Sequence, residues 1–225
     1  MPFDFIFMLT RNDRTVTDAA LHLETALAAG VTHIGVKDTG LPEADLAALI
    51  RVIRQAGATA YLEVVSPGLE AEVKSARAAL RVGVDVLLGG THAAQVAALL
   101  RGHGLRYYPF AGRVSGHPSV LHGPAEHIRH SARTLCAVEG VDGIDLLAYR
   151  NDGDAAALMR SVCESVNKPV IMAGSIDRPD RIAAARAAGA AGFTIGTAAL
   201  DGAFPAPGRD LPTQLAAIQA AARGA

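Results

Sequence analysis

The stretch PVIMAGSIDRPDRIAAARAAGAAGFTIGTAAL, residues 169–200, decides how the whole chain reads. A short apolar run ends in Ala-Gly-Ser, a segment of helical period follows, a glycine closes it, and a second apolar run ends in Ile-Gly-Thr. Strand, helix and strand in that order make a β/α unit. The small residues after each strand leave two turns whose backbone N–H groups no side chain crowds, a geometry that can hold a phosphate. TAALDGAF, which follows Gly196, predicts a short extra helix whose first amides would favour a dianion.

The same alternation runs through all 225 residues. Strands are predicted at about 3–9, 31–36, 59–65, 84–88, 105–109, 142–148, 169–173 and 191–195, with amphipathic helical segments such as EADLAALIRVIRQA and LEAEVKSARAALRV between them. LAAGVTHIGV, LRVGVDVLLG, VEGVDGIDLL and RAAGAAGFTIG recur at intervals of roughly 50 residues, each a helix end, a glycine and an even-numbered strand. Eight such units in strict order predict a single domain over 1–225, an α/β fold of the (β/α)8 TIM-barrel type. An open doubly wound sheet would want a GxGxxG after its first strand, and none stands there.

Half of the residues are hydrophobic and the formal net charge is −1, which leaves no clustered positive field for nucleic acid or an anionic membrane surface. The apolar start PFDFIFML is too short for a membrane span or a signal h-region. Cys136 and Cys163 lie in predicted helices without CxxC spacing, as packed thiols of a reduced, cytoplasmic protein would. The histidines of 117–130 form no HxH or HExxH set, so neither a metal nor a cofactor is expected, although Glu63, Asp145 and His92 are the residues the fold could gather around one.

The last two β/α units resemble the ribulose-phosphate-binding barrel superfamily of phosphosugar isomerases, epimerases and synthases. That resemblance spans the whole β/α layout and is sharpest over 169–200. It implies that Gly174, Ser175, Gly196 and Thr197 bind the phosphate of a small phosphorylated substrate. Two glycines are more usual after the seventh strand, so Ser175 is a departure, though its amide and hydroxyl can still donate. Barrels of this class are commonly oligomers, which allows a homo-oligomer.

In a barrel the chemistry sits at the C-terminal ends of the strands. There the second strand, HIGVKDTG over 33–40, ends in Lys37, one of three lysines among 21 basic residues. Alternation puts His33, Gly35 and Lys37 on one face, with Lys37 rising beside Glu63 of the third strand and facing Asp145 of the sixth. A charge inside a β-run is costly unless paired or used, so Lys37, Glu63 and Asp145 are the candidate catalytic residues. Neutral Lys37 could form a Schiff base for carbon–carbon cleavage or condensation. Protonated, it could polarise an enolate while Glu63 or Asp145 moves the proton, which is isomerase or epimerase chemistry. It could also be only a rim ion pair with Asp38 or Glu63. GVKD is similar to the DVK segment of the formylfuran-phosphate synthase family, which implies aldolase-like lyase chemistry. A non-catalytic phosphometabolite-binding regulator is the third reading.

Arg11, Arg113, His117 and Arg150 are the remaining candidates for substrate contacts. PFAGRVSGHPSVLHGP, residues 109–124, is the longest segment predicted after any strand and a candidate lid.

Overall fold

The computed structural model describes residues 3–224; positions 1, 2 and 225 of the expected domain lie outside the described residues. Eight parallel strands, β1 (Asp4–Met8), β2 (His33–Lys37), β3 (Thr59–Val64), β4 (Val86–Gly89), β5 (Arg106–Tyr108), β6 (Ile144–Leu146), β7 (Val170–Met172) and β8 (Gly192–Ile195), form one sheet in the order β6-β7-β8-β1-β2-β3-β4-β5. The sheet closes where the segment after β5 meets β6: Asp145 N–H donates to the Pro109 carbonyl at 3.0 Å and Ala111 N–H to the Asp145 carbonyl at 3.1 Å. This is the (β/α)8 barrel expected from the pattern, and each strand falls within a residue or two of its predicted range.

Helices α1 (Ala19–Ala28), α2 (Glu43–Gln55), α3 (Leu69–Val82), α4 (Ala93–Leu100), α5 (Ala125–Cys136), α6 (Ala155–Ser165), α7 (Pro179–Ala187), α8 (Thr197–Leu200) and α9 (Leu211–Arg223) ring the sheet. None of the described helices is long and apolar enough to cross a membrane. Their ends follow local chemistry. Asp154 and Asp210 accept the amides of Ala157 and Thr213 as N-caps, and Gly83 closes α3 in the left-handed region that a Cβ would oppose.

The outward faces of the strands pack on the helices, while Ile6, Met8, Tyr61, Val86, Leu88, Tyr108 and Ile171 fill the barrel interior. Gly35 does not leave space beneath Lys37, because the thioether of Met8 occupies the position a Cβ there would take. The glycine is a packing solution between neighbouring strands and not a gap in the site.

Two antiparallel hairpins stand on the C-terminal rim that the strand-and-helix pattern leaves as loops. One pairs Thr10 with Thr15 and Arg11 with Arg14 around a two-residue turn, Asn12-Asp13, with both residues at positive φ (48° and 58°). A type I′ turn demands that conformation at both central positions, and Asn and Asp tolerate it best among residues with a side chain. The other pairs Arg113–Ser115 with Val120–His122, so the predicted lid is a short ribbon with its tip at 116–119.

Candidate active site

The 10–15 hairpin is pinned to the end of β2. The Thr15 hydroxyl accepts from Lys37 N–H at 2.8 Å and donates to the Lys37 carbonyl at 2.9 Å, while the Thr39 hydroxyl donates to the Asp13 carbonyl at 2.7 Å. So held, the turn drives the Asp13 side chain inward over the barrel axis. Lys37 Nζ donates to Asp13 Oδ1 at 2.6 Å and lies 3.2 Å from Glu63 Oε2. Arg150, on the short 3₁₀ turn Ala148–Arg150 after β6, grips the same carboxylate with both terminal nitrogens at 2.7 and 2.9 Å. The tip of the second hairpin completes the cluster: Ser119 N–H donates to Asp13 Oδ2 at 2.7 Å and its carbonyl accepts from Arg150 at 3.1 Å. Lys37 therefore pairs with Asp13 and Glu63 and not with Asp38, whose oxygens take Val65 N–H and the Ser75 hydroxyl.

These charges are sealed from water: Asp13 and Glu63 are 2% exposed, Lys37 4% and Asp145 0%. Burial works against ionisation of Asp13, but hydrogen bonds from Arg150 and the charge of Lys37 overcome it and hold the carboxyl well below the usual range. Burial pushes Glu63 up, with Lys37 opposing and Asp13 adding to the shift. Asp145 is raised further by burial and by the neighbouring Glu63, and neither of its oxygens finds a hydrogen-bond partner among the described residues. The mouth thus holds one firmly ionised carboxylate, gripped by Arg150 and Lys37, and two carboxyls, Glu63 and Asp145, that keep a proton more readily than free ones.

Beside this cluster opens a cavity of about 770 Å³ whose lining includes Lys37, Glu63, Asp13, Ser119, Arg150, Gly174, Ser175, Gly196 and Thr197. The amides of Gly174, Ser175 and Thr197 have no acceptor among the described residues. Gly174 (φ +74°) and Ser175 (φ +58°) are consecutive left-handed residues, which turn successive N–H groups to one side. A Cβ on Gly196 would meet the Thr10 carbonyl at 2.7 Å, so that turn closes on β1 only with glycine. A Cβ on Gly174 would collide with the Arg150 guanidinium, which covers this glycine where an open turn was expected. The predicted extra helix is the single turn α8, and the Thr197 hydroxyl accepts from Asn12 N–H at 3.3 Å.

The structure does not bring the other candidates into the cavity, and Asp145, fully buried, is not among its lining residues either. Arg11 turns outward and donates to Asp201 Oδ1 and the Leu200 carbonyl, tying the hairpin to α8. Arg113 lies on a separate surface depression with Thr91, His122 and His127, because it sits at the base of its hairpin. His117 sits at the hairpin tip next to Pro118 but, unlike Pro118 and Ser119, does not line the cavity. His92 is drawn away by Glu72, whose oxygens also take the amides of Thr91 and His92. No cluster of three metal-ligating side chains is found among the described residues.

No protein-family model and no curated protein matches the sequence. Solved structures do match in shape. Orotidine 5′-phosphate decarboxylase from Pyrococcus horikoshii superposes with a TM-score of 0.70 at 13% identity, covering 98% of this chain and 100% of its own. N-(5′-phosphoribosyl)anthranilate isomerase from Pyrococcus furiosus gives 0.67 at 12% identity, covering 99% and 100%. A native KDPGal structure gives 0.68 at 16% identity, covering 100% and 95%. These likenesses show the (β/α)8 barrel fold. At these identities the likeness carries the architecture, and the chemistry has to be argued from the residues.

Proposed function

We propose that the protein is an enzyme acting on a small phosphorylated carbonyl compound by aldolase-like lyase chemistry at Lys37. The observation that carries this reading is Lys37 Nζ held 3.2 Å from a buried carboxyl in the same cavity as the two glycine turns. Gly174, Ser175, Gly196 and Thr197 would take the phosphate, and the carbonyl would lie over Lys37. Glu63 is the proton acceptor. Its raised affinity for a proton lets it take one from the Lys37 ammonium, which frees the amine pair to attack the carbonyl carbon. Glu63 then returns the proton to the carbonyl oxygen and carries a second one to it from the carbinolamine nitrogen, so that the oxygen leaves as water. The resulting iminium accepts the electron pair of the breaking carbon–carbon bond as the hydroxyl on the departing carbon gives its proton to Glu63 and becomes a carbonyl. Asp13 holds the lysine in place.

The second reading is isomerisation or epimerisation, favoured by the two carboxyls that retain protons, Glu63 and Asp145, with Lys37 as electrostatic helper. Borohydride reduction during incubation with phosphorylated aldehydes and ketones, followed by mass mapping, tests the first reading: an adduct on Lys37 is expected. Failure to trap one, together with solvent deuterium entering the substrate without cleavage, selects the second.

A further inference from the structure

One guanidinium touches three parts of the mouth. The Nε side of Arg150 lies directly on Gly174 of the phosphate turn, its two terminal nitrogens hold Asp13, and one of them also bonds the Ser119 carbonyl at the hairpin tip. Asp13 in turn is shared between Arg150, Lys37 and Ser119 N–H. Arg150, Lys37 and the hairpin tip are therefore wired through a single carboxylate. A doubly charged anion seated on Gly174 and Ser175 would lie against the guanidinium and compete with Asp13 for it, since a planar fork of donors serves phosphate and carboxylate equally well.

We propose that Asp13 is a positioning residue that couples phosphate occupancy to the lysine and the lid: it holds Arg150 in the free protein and yields it to the substrate phosphate. Asp13 is then left to Lys37, and the tip loses its bond from Arg150. The inference rests on the phosphate reading above and adds a competitor built into the chain. It explains why a 2%-exposed carboxylate is presented on a turn of two left-handed residues, where a plain hairpin would serve to close the rim. The strong lowering of the Asp13 carboxyl by Arg150 is the electrostatic side of the same contact.

The coupling has a signature that structural damage does not imitate. Inorganic phosphate binding is measured by calorimetry for the wild type, Asp13→Asn, Arg150→Met and the double variant. Asp13→Asn removes the competitor, so phosphate should bind roughly tenfold tighter, while reaction of Lys37 with substrate carbonyl falls. Arg150→Met should weaken binding by a similar factor, and in that background Asp13→Asn should change nothing. Phosphate that binds the wild type but binds the folded Asp13→Asn variant no better, or a tightening that persists without Arg150, overturns the coupling and leaves the phosphate site standing. No phosphate binding by any variant removes both. Should Asp13→Asn not fold, hydrogen exchange in the wild type decides: amides over 117–121 should exchange severalfold faster with phosphate bound, and unchanged exchange overturns the proposal.

Discussion

The two ends of this barrel are both charged, and they are built differently. At the base, where the strands begin, His33 Nδ1 lies 2.9 Å from the Tyr61 hydroxyl and its Nε2 3.8 Å from Asp4. Asp85 accepts Ala60 N–H and faces Arg54, and Asp142 accepts Tyr107 N–H. A cavity of about 600 Å³ lies here too, lined by Arg54, Asp85, His103 and Arg106. The charged side chains at the base remain partly in water, 35% for Asp4 and 24% for His33. At the mouth the charges are dry, share one carboxylate, and sit above Asp145 with two unpartnered oxygens. The base is a set of satisfied pairs that staples strand starts. The mouth carries polar groups that the fold alone would not keep, and such sites are where function opposes stability.

That contrast fails most completely if Lys37 can be removed without consequence. Lys37→Met should lower turnover by roughly 10⁴-fold or more, the scale on which loss of a covalent nucleophile acts, measured on whichever phosphorylated carbonyl compound the wild type converts. Asp13 keeps Arg150 in this variant, so the protein should still fold and bind phosphate. Glu63→Gln should cost roughly 10²–10⁴-fold in kcat. Because Glu63 must be ionised to accept the lysine proton, the wild-type rate should climb with pH through its raised value, and that limb should be missing from the Gln variant. A retained limb would assign it to another group.

Asp145 sharpens the comparison through stability. Folded Asp145 keeps its proton to a higher pH than the unfolded carboxyl, which titrates near 3.9. Above that pH the native state binds more protons than the unfolded one, so this residue makes the fold lose stability as pH rises. Asp145→Asn cannot ionise. It should be more stable than the wild type by about 1–3 kcal/mol at pH 8, and the advantage should shrink toward pH 4. Urea melts at several pH values check it, and a variant less stable at pH 8 would show Asp145 to be a structural partner after all.

How far the sequence discloses the site follows from which signals are local. Strand and helix periods carried the barrel, because each element's hydrophobic face must meet the core whatever its partners. The same alternation put Lys37 beside Glu63, and the register of β2 on β3 pairs those two residues directly. Asp13 stands just after the first strand, where Asn-Asp between Arg11 and Arg14 suits a type I′ turn, but nothing local says that its side chain turns inward. What no local pattern contains is the meeting of Asp13 with Arg150, 137 residues apart, or the covering of Gly174 by that arginine. The outward turn of Arg11 depends likewise on Asp201, 190 residues on.

The smallest effect belongs to the base, and it completes the contrast. Burial lowers the affinity of His33 for a proton, the charge of Arg106 adds to this, and Asp4 opposes it. The folded imidazole therefore takes up its proton at a lower pH than the unfolded one, which titrates near 6.5. Below that value the unfolded chain binds more protons, so His33 withdraws stability as pH falls from about 6.5 through the folded value. His33→Gln should lose the acid slope and about 1 kcal/mol or less at pH 7.5, through the bond to Tyr61. Its turnover should match the wild type, because it starts the strand that Lys37 ends, and the Met8 thioether packs on Gly35 between them. Thermal melts from pH 7.5 to 5 with parallel rate measurements test both halves. A fall in kcat would mean that the base communicates with the mouth through the packed interior, and the two ends would no longer be separable into scaffold and site.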